Sequence, residues 1–225
     1  PALMFSGGAT LGLFHTGVCK VLLEQDLMPR VLSGSSAGAI MTGMLGVSAA
    51  DKVPELLKGE HFFSDAFKFR KMTELIRGNG GIADVMYLKK FLMNNLGDVT
   101  FAEAYQQSKR HINIVIAPYN TAQNPRIMNA LTAPNVLVWS AVLASCAVPV
   151  LFPPVHVTSK RYDGQHTPYL ANTRWVDGSM RSDFPQEKMA RLYTIHYTTA
   201  SQVNPHIVPF MQSDSERFRR DVLSW

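Results

Sequence analysis

A serine framed by two glycines, Gly34-Ser35-Ser36-Ala37-Gly38, is the stretch of this chain best suited to chemistry. The apolar pair Val31-Leu32 leads into it, and the small-residue run Ala37-Gly38-Ala39-Ile40 leads out. Read as strand, sharp turn and helix, this order puts Ser36 at the apex. G-x-S-x-G in that context is a nucleophile elbow, which lifts a hydroxyl clear of a sheet edge and turns backbone N–H groups toward it. Residues two before and two after the apex must be small, because strand and helix touch there. By itself the five-residue pattern also fits a glycine-rich turn with no chemical role.

A second glycine loop precedes it. The apolar run Ala2-Leu3-Met4-Phe5 ends at Ser6-Gly7-Gly8-Ala9-Thr10-Leu11-Gly12, and Phe14, Val18, Val21 and Leu22 then follow at helical spacing. A loop with little side-chain bulk at a helix start presents N–H donors and suits an anion. Three readings fit: a dinucleotide loop with Glu24 or Asp26 near the ribose position, a structural turn, or an oxyanion hole serving Ser36. Adjacent strand-helix units place both loops on one carboxyl edge of a parallel sheet. Acyl transfer needs that pairing of nucleophile and preorganised donors.

The elements that must position these loops alternate along the chain. Helical patterns cover residues 37–49 and 51–58. A helix is expected from Asp84, as N-cap, to Asn95, with Gly97 as its stop. Thr100 and Glu103 form a capping box for a short helix ending near Gln107. His111–Ala117 reads as a strand, and another is expected over 126–131. Asn135 is expected to cap a helix over 136–147, and Pro149, Pro153 and Pro154 then force an extended path. Arg174-Trp175-Val176 leads into Asp177-Gly178-Ser179 as a strand end and turn, and Leu192–Tyr197 reads as a late strand. The alternation predicts an α/β fold, a three-layer α/β/α domain with a central, mostly parallel sheet. Residues 1–212 form this domain, and 213–225 read as a separate helical segment, a linker or interface element.

Composition sets outer bounds. With 225 residues, 46% of them apolar, the chain can bury a sizeable core. Its net charge of +5 admits anionic surfaces; no Lys/Arg cluster or nucleic-acid motif accompanies it. Cys19 and Cys146 read as buried thiols, and the seven histidines show no metal-ligand spacing. His61–Met72 interleaves Phe62, Phe63 and Phe67 with Lys68, Arg70 and Lys71, which fits a lipid interface or a core-packed connector. The opening at Pro1, directly in a strand-like run, suggests an excised domain.

Both glycine loops, the late Asp177-Gly178-Ser179 step and the phrase Trp139–Pro149 with Phe152-Pro153-Pro154 make the chain resemble the patatin-like phospholipase family. The wording of the two loops is most similar to a branch shared by fungal triacylglycerol lipases and bacterial secreted patatin-domain proteins of the PlpD type. Leu11 stands where many members carry Arg or Lys, and Ser179 where they carry Gly or Ala. The resemblance implies the patatin-like three-layer fold and a lipid acyl hydrolase of phospholipase A type. It implies a catalytic Ser36–Asp177 dyad, an oxyanion hole from the amides of Gly7, Gly8 and Ala9, and no metal or other cofactor. The implied partners are phospholipid or acylglycerol substrates and an anionic membrane surface, with no nucleic acid; a homodimer and secretion or cell-surface location fit the same branch. An aspartate with the ordinary pKa of about 3.9 is a feeble base, so the oxyanion hole must then carry much of the barrier reduction. Two rivals stay open: a Ser36–His196–Asp163 triad, and a lipid-binding module without activity.

Overall fold

The computed structural model describes residues 1–58, 81–120, 123–149, 152–179 and 183–204. The sheet grows outward from its two glycine-ended strands. β1 (Ala2–Phe5) and β2 (Val31–Gly34) pair in parallel, and β2 pairs in parallel with β3 (His111–Pro118). β8 (Thr198–Ser201) lies parallel on the other edge of β1. Two short strands run against β3: β4 (Arg126–Met128) and β7 (Trp175–Asp177). The order β4-β3-β2-β1-β8, with β7 also on β3, makes a mixed sheet with a parallel centre. A small antiparallel pair, β5 (Thr158–Lys160) with β6 (His166–Pro168), stands apart and was not anticipated from the sequence.

The register fixes where β7 sits. Ile114 pairs with both Gly34 and Met128, so β2 and β4 flank β3 on opposite sides; Ile116 pairs with both Arg126 and Asp177, so β7 is on the side of β2. β3 outruns β2 by four residues, and β7 takes up the edge that β2 leaves empty. Asp177 thereby arrives end to end with the strand that carries the elbow.

Side-chain alternation assigns the two faces. Leu3, Phe5 and Leu32 face a core shared with α2 (Ala37–Val47), α4 (Gly81–Leu96), α5 (Phe101–Ser108) and α6 (Val138–Ser145). Met4 faces the other way and meets Ile127 and Met189, the latter from α7 (Gln186–Tyr193). Helices on both faces make the three layers. The remaining helices, α1 (Phe14–Glu24) and α3 (Val53–Lys58), pack on each other beside α2. α2 is buried from Ala37 to Gly46, as its Ala/Gly/Met content allows.

Several local expectations hold. The capping box forms as read, with Glu103 N donating to Thr100 Oγ1 and Thr100 N to Glu103. Gly97, at φ 65°, ends α4 in the left-handed conformation glycine favours. Leu88, Leu92 and Leu96 are buried, on the stripe that the spacing marks.

Others are corrected. α4 begins at Gly81, so Asp84 lies within it and is not its N-cap. Asn135 does not cap α6, which starts at Val138 with Leu137 as N-cap; Val136 and Leu137 are drawn into bridges with Ser159 and Thr100. The strand expected over 192–197 is the last turn of α7 and a connector, and the strand begins only at Thr198. The aromatic-basic stretch 61–72 and the segment 213–225 lie outside the described residues.

Candidate active site

Ser36 sits between β2 and α2 at φ 51° and ψ −119°, a region non-glycine residues enter only under constraint. The flanking glycines show the constraint. A Cβ on Gly34 would lie 2.1 Å from the Gly38 carbonyl oxygen, and one on Gly38 would lie 2.4 Å from that of Phe5. The G-x-S-x-G spacing is therefore demanded by backbone meeting backbone, as a nucleophile elbow requires.

The apex is pinned from α6. Ser36 N–H donates to Ser145 Oγ at 2.9 Å, and Ser145 Oγ donates to the Val115 carbonyl at 2.7 Å, which ties elbow to sheet. The Cys146 thiol, buried and held in its protonated form by that burial, donates to the Ser36 carbonyl at 3.4 Å. Replacing Ser145 by Ala strands a buried N–H and a buried carbonyl. We expect a loss of about 1–3 kcal/mol, read by urea unfolding, with a fall in any turnover that depends on Ser36; unchanged stability would remove Ser145 from this role.

Asp177 is 2% exposed, and the Ser36 hydroxyl is among the groups that act on its carboxyl. Burial raises its pKa to about 6; hydrogen bonds from the Ser179 amide and hydroxyl and from Ser36 oppose the rise, and the charge of Asp183 adds to it. The Ser179 amide donates at 2.8 Å. That donor is backbone, so the departure from Asp-Gly-Gly or Asp-Gly-Ala at Ser179 leaves it in place. Gly178 is required at its place, since a Cβ there would lie 2.8 Å from the Val115 backbone.

The first glycine loop closes over the same point. A Cβ on Gly7 would stand 3.3 Å from Ser36 Cβ and 3.4 Å from Ser179 Cβ. Gly8, at φ 154°, precedes a 3-10 turn (Ala9–Leu13), whose first amides have no acceptor within the turn. Ala37 N–H, at the start of α2, likewise precedes any intrahelical acceptor. Gly7 N–H donates to Asp183 Oδ1 at 3.0 Å, so it orders the loop, leaving Gly8, Ala9 and Ala37 to offer donors.

Two residues outside the sequence-based site hold this arrangement. Asp183 accepts from Gly7 N–H and the Ser35 hydroxyl through one oxygen and from Asn204 Nδ2 through the other, at 2.8 Å, clamping loop, elbow and the β8 exit together. His15, fully buried, reaches the Ser6 carbonyl through Nε2 at 3.0 Å and Ser201 Oγ through Nδ1 at 2.8 Å. The carbonyl can only accept, so Nε2 carries the proton and Nδ1 accepts from Ser201; burial keeps the ring neutral by lowering its pKa. Neither residue belongs to a local motif, and only their places in the fold reveal them.

The rival triad does not assemble. His196 is exposed and precedes Thr198, which pairs with Ala2 at the amino end of β1, whereas Ser36 follows Gly34 at the carboxyl end. Asp163 is exposed in the β5–β6 turn, accepting from Gln165 N–H. A ribose-binding role for Glu24 or Asp26 also lacks its setting, because the loop's Gly7 packs on Ser36. Both cysteines are free and buried. Among the described residues, no group of three His, Cys, Asp or Glu side chains is placed to hold a metal ion. Among the same residues, no helix is long and apolar enough to cross a membrane.

Comparison with known proteins agrees with this geometry. The family model of patatin-like phospholipases matches residues 3–189. Triacylglycerol lipase 4 of Saccharomyces cerevisiae is 39% identical over 94% of this chain and 25% of its own length. Triacylglycerol lipase ptl2 of Schizosaccharomyces pombe is 33% identical over 98% and 36%, and triacylglycerol lipase SDP1L of Arabidopsis thaliana is 34% identical over 94% and 28%. The chain thus spans about a quarter to a third of the length of these relatives.

Proposed function

Because this chain belongs to the patatin-like phospholipase family, we propose that it is a serine lipid acyl hydrolase that cleaves glycerolipid esters through Ser36 and Asp177. The observation that carries the reading is the convergence, beside Gly7, of a hydroxyl on a strained elbow and the turn that holds a buried carboxylate whose pKa burial has raised to about 6.

In this reading Ser36 Oγ bonds to the ester carbonyl carbon while its proton passes to Asp177. The carbonyl oxygen becomes an oxyanion held by amides of the glycine loop, Gly8 and Ala9, with Ala37 N–H of the elbow; Gly7 supplies the close approach. Collapse breaks the ester C–O bond, and Asp177 returns the proton to the leaving alcohol. Asp177 then takes a proton from water as that water bonds to the acyl carbon; the Ser36 Oγ–acyl bond breaks, Asp177 returns the proton to Ser36 Oγ, and the fatty acid leaves. A carboxylate with a pKa near 6 is a far better base at neutral pH than the ordinary aspartate assumed from the sequence. Acylglycerols are the first substrate class to test, given the names of the relatives, with phospholipids second. A lipid surface as partner and a homodimer belong to the same proposal.

The test is mass spectrometry of the products formed from mixed triacylglycerols and phospholipids. Free fatty acid with diacylglycerol or lysophospholipid is expected from the intact protein. Ser36→Ala is expected to release at least about 10⁴-fold less. No release by the intact protein, or full release by the variant, would overturn the assignment. His196→Ala should keep nearly full turnover, and a loss like that of Ser36→Ala would restore the triad. With the unaltered protein, kcat/KM should rise as Asp177 ionises and level off above about pH 6.

A further inference from the structure

A cavity of about 420 Å³ opens on the side of β3 away from Ser36, between the edge strand β4 and α7. Its floor is apolar: Pro125, Ile127, Met128 and Leu192, with the ring of Tyr169 as a wall. Ile127 and Met128 are buried, yet the apolar Leu192, which lines the same cavity, is 37% exposed. Three cations, Arg126, Lys188 and Arg191, line the same space, and among the described residues no carboxylate does.

Among the described residues none of these three cations is in an ion pair. Lys188 donates one hydrogen bond to the Pro125 carbonyl, at 2.6 Å, which anchors its stem and leaves two N–H donors. The Arg126 guanidinium lies 5.7 Å from the centre of the Trp175 ring of β7, which the Tyr169 ring also approaches, tilted, at 6.3 Å. Uncompensated positive charge around an apolar recess has one complement: a molecule with an apolar tail and an anionic end. The volume is at the lower end of the usual range for ligand pockets, about 300–1,000 Å³, and suits one acyl chain, not two.

We propose that this cavity binds a single-chain anionic amphiphile, its tail against Ile127, Met128 and Leu192 and its head on Arg126, Lys188 and Arg191. The site is separate from the catalytic one, since Arg126 and Asp177 pair with opposite sides of Ile116, roughly 10 Å apart. It does not depend on hydrolysis by Ser36. The head is a free fatty-acid carboxylate or a lysophospholipid phosphate, and both are included below.

The test is equilibrium dialysis of the protein against oleate, 1-oleoyl lysophosphatidate and oleyl alcohol, each below its micellar concentration. Two variants are compared: Arg126→Gln/Arg191→Gln, which removes charge, and Leu192→Trp, which fills the cavity from its exposed side. Any binding at the catalytic site is common to all three proteins and cancels. At least a tenfold loss of affinity for one anionic ligand in both variants, with unchanged melting temperature for Leu192→Trp, is the expected result; the ligand so affected identifies the head group. Equal affinity in all three proteins, or oleyl alcohol bound as tightly as the anions, would overturn the proposal.

Discussion

Asp177→Asn is expected to lose about 10³–10⁴-fold in ester turnover, the share a positioned general base supplies, and to unfold at a higher temperature. The second effect follows from the first residue's burial. Below pH 4 the carboxyl is neutral folded or unfolded and costs nothing. Between pH 4 and 6 the unfolded chain ionises while the folded one holds its proton, so stability falls as pH rises. Above about 6 the folded protein carries a buried charge, a penalty on the order of 3 kcal/mol at about 1.36 kcal/mol per pKa unit. Asparagine removes that charge and can keep the Ser179 amide as donor. The melting temperature should therefore rise at pH 8 by roughly 6–12 °C, and the gain should shrink toward pH 4. Calorimetry at both pH values, beside an esterase assay, checks the pair. Retained turnover would remove Asp177 as the base; a gain independent of pH would mean that its charge is not what burial penalises.

The second large effect is expected at Gly34→Ala, a change that touches no polar group. The added carbon would sit 2.1 Å from the Gly38 carbonyl oxygen and 2.5 Å from Thr42 Oγ1, and the first of these is backbone that cannot swing aside. Either β2 and α2 separate, or the elbow is displaced. Separation exceeds the usual overpacking cost of about 1–3 kcal/mol; displacement of the nucleophile by about 1 Å costs on the order of 100-fold in rate. Melting temperature and turnover measured together will show one loss or both. Wild-type values for both would mean that the glycine is not sterically required. Gly17→Ala is the matched control, because a Cβ there meets nothing within 4 Å.

What could be read from the chain alone divides along physical lines. Gly34 was legible because it answers a constraint within a few residues, against the Gly38 carbonyl; Ser36, Gly38 and Gly178 were legible as members of short motifs, although the backbone that Gly38 and Gly178 make room for, at Phe5 and Val115, is distant in the chain. The capping box at Thr100 and Glu103 was legible for the same reason, being satisfied inside one helical turn. Asp183, His15 and Ser145 were not, because each owes its place to partners across the fold: Asp183 bonds Gly7 over 176 residues of chain, and Ser145 bonds Ser36 over 109. The misreading of Leu192–Tyr197 has a tertiary cause. Tyr193-Thr194-Ile195-His196-Tyr197 has strand-forming residues, yet Met189 must reach Met4 and Ile127 on the far face, which carries the helix through Tyr193. Asn135 likewise had the right chemistry for a cap, but Val136 and Leu137 are taken up by bridges to Ser159 of β5 and to Thr100, the N-cap of α5, before the helix begins.

The docking of β7 on the edge left by β2 has a consequence for synthesis. In the proposed dyad the hydroxyl and its base lie at positions 36 and 177, and the base has no seat until β7 docks on β3. At about 5–20 residues per second, a chain emerging from the ribosome carries its reactive hydroxyl on the order of ten seconds before the proton acceptor. If the dyad is the one proposed, hydrolysis begins only once β7 has docked, and a chain that stops before residue 177 holds the elbow without a base.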